Sequence, residues 1–433
     1  MTRLLINANT IPFTFLVGVL VFSSTAHSEN PVLASARYGG IGGAAVSSAQ
    51  TAEALVFNPA GLAFARQSEF VFNLAPTISE ATSSTTGPNT PTTAEREFVP
   101  AGSLFTNFKI GERLGIGLGL TPSFGFSVDY GQADYGIPDT NLRPHLFDEV
   151  VVMEFSLGAA YKFSEELSIG AAWRISRMEQ DSSIAFPLDL DQDGNPDTLD
   201  TLTVSDMTAT DFSGYRLGIQ YRPKSGQWGL GGMYRSGIDY KVDGTLGGQF
   251  QVFAPTPGPV VDHVPGPGSV VLGSIPPEQI AVGGDFRLGE RWTTYLQYEF
   301  TKWSRNVQKE ITGTRDNMPF AVARVIQSQD TDTWRIGFRY SMSEEWIWRF
   351  GYMYRQAISP TDRAAWDVFP PGPTRSYMLG LANRSFDRLD LDFAIVSTDI
   401  SGVGSSANAA EGFFGGNYDV DLFALHAGLT LRF

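Results

Sequence analysis

The twelve residues from Asp189 to Asp200 place carboxylates at positions 1, 3, 5, 9 and 12, with Gly194 at 6 and Asn195 at 7. That is the oxygen order of a calcium loop, where a hard cation gathers side-chain and backbone oxygens from one sharply turned segment. The expected ligands are Asp189, Asp191, Asp193, Asp197 and Asp200, with the Asn195 carbonyl. Asp200 stands where such loops carry a bidentate Glu, and no obvious helices flank the segment. A plain solvated acidic loop is the alternative. Five carboxylates this close repel one another without a cation, which favours a structural Ca2+.

Arg174, Arg216, Arg335, Arg339 and Arg349 share the polar face of alternating segments. A guanidinium can grip a carboxylate through two parallel hydrogen bonds, so these residues could hold an acidic cargo. They could equally pair with protein acids such as Glu154 and Glu53. Other chemistry finds little support. Gly40-Ile41-Gly42-Gly43-Ala44-Ala45 fits a dinucleotide fingerprint formally, yet no strand precedes it and no parallel βαβ unit follows. Close backbone packing explains those glycines better. The chain has four histidines, no cysteine and no G-x-S-x-G, so we expect no catalytic site and no cofactor for its activity. With 46 acidic against 31 basic side chains the formal charge is −15, which argues against nucleic-acid binding.

Residues 1–28 read as an export signal: Arg3, the apolar run Ile11 to Phe22, then small residues, with cleavage after Ala26 or Ser28. No other stretch approaches the roughly 18 apolar residues of a membrane helix. Any membrane crossing must therefore use strands.

The elements that would carry the polar residues alternate with period two. Phe423, Leu425, Leu429, Leu431 and Phe433 oppose His426, Gly428, Thr430 and Arg432; Tyr215, Leu217 and Ile219 oppose Arg216, Gly218 and Gln220. Trp and Tyr near the strand ends match interfacial girdles, and Gly with Arg on the other face suits a crowded lumen. We count about 14 strands, which predicts an all-β, transmembrane antiparallel barrel. They lie near 68–78, 98–109, 112–126, 150–163, 166–180, 206–222, 227–243, 278–288, 291–304, 330–340, 346–356, 375–385, 388–398 and 418–433. Connections after even strands are short, and those after odd strands are long, as in outer-membrane barrels with short periplasmic turns. The division expected is a leader at 1–28, a segment at 29–66 that falls outside the strand count and needs a place of its own, and the barrel at 67–433.

The segment Ala36 to Leu62, ARYGGIGGAAVSSAQTAEALVFNPAGL, resembles the start of the FadL-type outer-membrane family. Its motif here is Asn58-Pro59-Ala60-Gly61. Further echoes are GIGLGLTPSFGF at 115–126, IPPEQIAVGGDF at 275–286, YEFTKWS at 298–304 and FGYMYRQAISP at 350–360. Phe433 resembles the terminal aromatic read by the barrel-assembly machinery.

The resemblance implies a 14-stranded barrel plugged by an N-terminal hatch. It also implies passive uptake of long-chain fatty acids or other apolar compounds, and a bend in the third strand that opens the wall sideways. The matching residues are Pro122, Ser123, Phe124 and Gly125. Pro122 cannot donate to a ladder, which independently marks a bulge or a break there, unless the strand simply ends. The implied partners are hydrophobic small molecules, outer-membrane lipid and lipopolysaccharide, and the assembly machinery. A secretion or assembly role within the same barrel family and a polar-solute porin are the rival readings.

Overall fold

A computed structural model describes residues 34–85, 92–132, 142–188, 197–253, 256–273, 275–405, 413 and 415–433. The expected leader, 1–28, and four of the six calcium-loop residues lie outside the described residues. Fourteen strands pair in sequence order and close into an antiparallel barrel. The wall strands are β1 Glu69–Thr85, β2 Glu97–Ile110, β3 Leu114–Gln132, β4 His145–Lys162, β5 Leu167–Leu188, β6 Thr198–Tyr221 and β7 Trp228–Arg235. The wall continues with β8 Gln279–Leu288, β9 Trp292–Thr301, β10 Thr331–Ser341, β11 Trp346–Arg355, β12 Thr374–Asn383, β13 Leu389–Gly404 and β14 Gly416–Arg432. Closure comes from β1 against β14, Phe70 opposite Leu431 and Ile78 opposite Phe423.

The pattern of exposure is inverted relative to a soluble protein. On β14, Leu425 is 49% exposed while His426 is 3% exposed; on β6, Leu217 is 49% exposed while Arg216 is 2% exposed. Apolar side chains on the outside of a closed wall require a hydrocarbon solvent, because water would charge roughly 25 cal/mol for each Å2 of them. Turns at one end are short, with Gly111 and Gly289 in the left-handed region that a tight reversal needs.

The structure departs from the sequence reading outside the membrane band. The sixth strand begins at Thr198 rather than near 206, and β5 runs on to Leu188, so most of the expected loop from Asp181 to Ser205 is paired strand. The seventh strand, expected to reach 243, leaves the wall after Arg235. Tyr240–Gly247 then joins an external sheet with Gly266–Leu272, Gln308–Arg315 and Met318–Val325, attached to β6 through Val204 opposite Leu246. At 22 and 24 residues, β5 and β6 far exceed the roughly 9–11 that span a bilayer. Their outer halves meet water on one side and other loops on the other, so the alternation is lost there.

Ala34 to Ala65 lies inside the lumen as a chain of short turns: α1 Ala36–Gly39, α2 Ala54–Phe57 and a 3-10 turn at Pro59–Phe64. Ser35 caps α1 by accepting from Tyr38 N–H. Where this hatch meets the wall, the wall carries glycine. A Cβ on Gly115, Gly170, Gly218, Gly231, Gly337 or Gly351 would fall 2.0–2.5 Å from a hatch atom.

Candidate functional site: a wall opening above a seated hatch

The ladder between β2 and β3 is incomplete. It runs from Ile110 opposite Leu114 up to Leu104 opposite Leu120, and stops. Above it, β2 continues to pair with β1 as far as Glu97, and β3 continues to pair with β4 as far as Gln132. The two segments meet again at the top, where Glu95 N–H donates to the Asp129 carbonyl at 2.7 Å and Ser127 Oγ donates to Glu97 Oε2 at 2.9 Å. Between these points Phe98–Ser103 and Thr121–Phe126 share no ladder, and this break in pairing is the window referred to below.

Pro122 sits at its lower edge, where the missing N–H cannot serve a ladder. Ser123 is an extra residue: Pro122 faces Met153 and Phe124 faces Val152, so β3 spends two steps where β4 spends one. This bulge reverses the inside–outside parity of everything beyond it. Below, odd residues such as Gly117, Gly119 and Thr121 face inward; above, the large buried side chains are Phe124, Phe126 and Val128, with Gly125 buried between the two phenylalanines. Ser123 Oγ reaches the Val152 carbonyl at 3.4 Å.

The two phenylalanines brought inward join an aromatic cluster. Phe124 lies 6.3 Å from both Trp303 and Phe369, Phe126 lies 6.0 Å from Phe369, and Trp303 lies 5.3 Å from Phe369. A cavity of about 70 Å3 adjoins them, lined also by Gln180, Asn306 and Ser359. Of these residues, only Phe124 is among the expected site residues, while Phe126 and Trp303 fall within the echoes at 115–126 and 298–304. Trp303 stands at an expected strand end and Phe369 in an expected loop, where only its being a large aromatic points to it.

Below the window the hatch is fastened to the wall. Asn58 Nδ2 donates to the carbonyls of Val46 at 2.6 Å, Ile219 at 3.0 Å and Gly232 at 3.2 Å, while its Oδ1 accepts from Ala60 N–H. Pro59 starts the 3-10 turn, where its lost donor costs nothing. The Ala60 carbonyl accepts from Ser168 Oγ, and Gly61 passes so close to the Ala49 carbonyl that a Cβ would overlap it. Leu55 fills the space that Gly117, Gly119 and Gly158 leave on β3 and β4.

The sequence profile described as "Outer membrane protein transport protein (OMPP1/FadL/TodX)" matches residues 19–432. The chain belongs to this family. Among curated proteins no sequence match is found. Solved structures share the fold. The P. putida toluene transporter TodX superposes with a TM-score of 0.74 at 16% identity, covering 92% of this chain and 97% of that one. A Pseudomonas aeruginosa FadL homologue gives 0.71 at 14% identity, covering 96% and 99%. The monoaromatic hydrocarbon channel CymD gives 0.69 at 16%, covering 93% and 98%. Membership makes the protein an integral outer-membrane transport channel for hydrophobic compounds rather than an enzyme.

In this family member the lumenal arginines are largely engaged by protein acids. Arg174 and Arg216 share Glu154, Arg174 Nε reaching it at 2.6 Å. Arg335 pairs with Glu299 at 3.3 Å and also donates to the Gly42 carbonyl; Arg349 pairs with Asp392 at 2.7 Å. Arg339, half-buried, forms no ion pair among the described residues. Glu53 is not their partner: it accepts from Ser35, Thr51 and Asn73 within and beside the hatch. Of the acidic turn, Asp189, Asp191, Asp193 and Asn195 lie outside the described residues. Asp197 bonds through its backbone to Leu188 and Phe253, and the Asp200 carboxylate is held by Arg315 at 2.6 Å and His263 at 2.9 Å.

Proposed function

We propose that the protein admits small apolar molecules passively and releases them sideways through the window between β2 and β3 into the outer leaflet. The observation carrying this reading is the ladder that stops at Leu104 and Leu120 and resumes only at Glu95 and Asp129. An open ladder facing hydrocarbon costs several kcal/mol per unpaired group, so a wall keeps one only where it borders a cavity. Phe124 belongs both to this edge and to the cavity lining, which joins the two spaces. The toluene and monoaromatic channels among the structural neighbours support cargo of that kind, and a cavity of about 70 Å3 is far too small for an extended fatty acid. The paired arginines leave little free positive charge in the lumen for a carboxylate. We further propose that the leader is removed on export, that the assembly machinery inserts the barrel among lipid and lipopolysaccharide, and that the acidic turn binds structural Ca2+ through its first positions.

The test is a variant carrying Pro122→Val, Ser123→Trp and Gly125→Val, assayed for toluene uptake in cells. Uptake should fall at least tenfold with heat-modifiable migration unchanged. Normal uptake in a properly assembled variant would sink the lateral route. A defect in protein export with uptake intact would favour the secretion reading, and leakage of sugars through the native protein would favour a porin.

A further inference from the structure

The cavity beside the window combines three features: aromatic walls, balanced charge and unpartnered acceptors. Phe124, Phe126 and Phe369 supply the first. The second comes from two opposite pairs: Lys309 Nζ stands 3.6 Å from Asp148, and Arg324 bonds both oxygens of Asp367. Two cations against two anions leave the lining without net charge.

The third feature has no structural use. Gln180 is 2% exposed; its Nε2 donates to Asp148 at 3.3 Å, which fixes the amide's orientation and leaves Oε1 without a donor. Asn306 and Ser359 line the same cavity and are buried, at 7% and 2% exposed, and Asn306 Oδ1 and Ser359 Oγ are likewise unpartnered. A buried acceptor left empty costs about 1–3 kcal/mol, and two amide oxygens facing one small space double that burden unless something fills it. A purely hydrocarbon guest would leave both stranded. A carboxylate would meet two oxygens with like partial charge.

Resting on the uptake reading above, we propose that this cavity is a subsite for neutral molecules with an apolar ring or short chain and one hydrogen-bond donor head, such as a phenolic or alcoholic hydroxyl. Gln180 and Asn306 are its specificity-determining residues. The hydroxyl donates to one of their carbonyl oxygens, Ser359 can turn its own proton toward the guest oxygen, and the ring lies against Phe124 and Phe369.

The experiment measures binding of p-cresol, toluene and benzoate to the purified full-length protein in detergent, with uptake of the same compounds in cells. In the native protein p-cresol should bind about tenfold more tightly than toluene, the worth of one neutral hydrogen bond that also satisfies a buried acceptor, and benzoate should bind weakest. Gln180→Met with Asn306→Leu should erase the preference for p-cresol and leave toluene unchanged or improved. Because the comparison in the native protein needs no variant, a misfolded variant does not spare the proposal. Equal binding of p-cresol and toluene overturns it, as does tightest binding of benzoate, which would make Lys309 the anchor. Absence of uptake for every compound, with p-cresol still preferred in binding, overturns the transport reading and leaves the subsite standing.

Discussion

Gly218 of β6 lies directly beneath Asn58 of the hatch, so close that a Cβ at Gly218 would stand 2.0 Å from Asn58 Oδ1. The wall has given up a side chain to admit the amide that ties three separate carbonyls together. Gly218→Val should therefore displace Asn58 at a cost of about 1–3 kcal/mol. The barrel keeps its ladder, so the damage should appear in the plug: raised ion conductance in planar bilayers and faster proteolysis near residue 58. Unchanged conductance would mean that the hatch is seated by its other contacts alone.

Deleting Ser123 should do more than any substitution there. Without the extra residue, Pro122 opposite Met153 and Phe124 opposite Val152 become consecutive pairs of a regular ladder, so Phe124 and Phe126 keep facing inward while the local bend is lost. The native chain contains no cysteine, so a spin label at a Phe124→Cys site is unambiguous. Collisions of that label with lipid-soluble oxygen should stay low on deletion, while toluene uptake should drop because the straightened strand narrows the window. A label that becomes exposed to lipid would show that β3 slips against β4 instead of losing the bulge.

The external segment around Asp367 should depend on pH in a defined sense. Burial alone would raise this carboxyl, but Arg324 and then Lys309 hold it below the ordinary Asp value. A depressed folded pKa adds stability above the unfolded value of about 3.9 and loses it as pH falls through the lower folded value. Limited proteolysis should find residues 356–373 protected from pH 7 down to about 4, and released only below that. Arg324→Met leaves the acid buried with a single remote cation, which should cost about 3–5 kcal/mol and move release to higher pH. Release of the native segment near pH 6 would contradict the assignment.

Calorimetry with Ca2+ tests the acidic turn. Binding in the millimolar range should vanish with Asp191→Asn and Asp193→Asn. Asp200→Asn should instead loosen the external sheet, because Arg315 and His263 lose their shared acceptor. No heat of binding in the native protein would reject the ion.

The membrane band was the part legible in the sequence, and for one physical reason: lipid outside and a packed lumen inside force strict alternation. Leu217 beside Arg216 and Leu425 beside His426 display it residue by residue. Beyond the band that contrast disappears, and the outer halves of β5 and β6 were read as loop. Pro122 announced a break, but nothing local to Ser123 announced a change of phase, since a bulge is a relation between two strands. Trp303 and Phe369 meet Phe124 across long sequence distances that no periodicity spans. The glycines of the lumenal face were visible as a pattern; their use as seats for hatch atoms was not, because it depends on another segment's backbone.

The position of the hatch below the opening bears on the whole cell. Wall and hatch are joined by carbonyl, amide and guanidinium contacts at Asn58, Ser168 and Arg335, made on β5, β6, β7 and β10, and by Ser103 at the foot of the window, whose Oγ donates to the Ala34 carbonyl at 2.7 Å. Cargo turning aside above that seal would leave it undisturbed. The envelope would then take in oily nutrients while its barrier against salts, bile and antibiotics stayed whole, and a bacterium would carry many copies of such an inlet without becoming leaky.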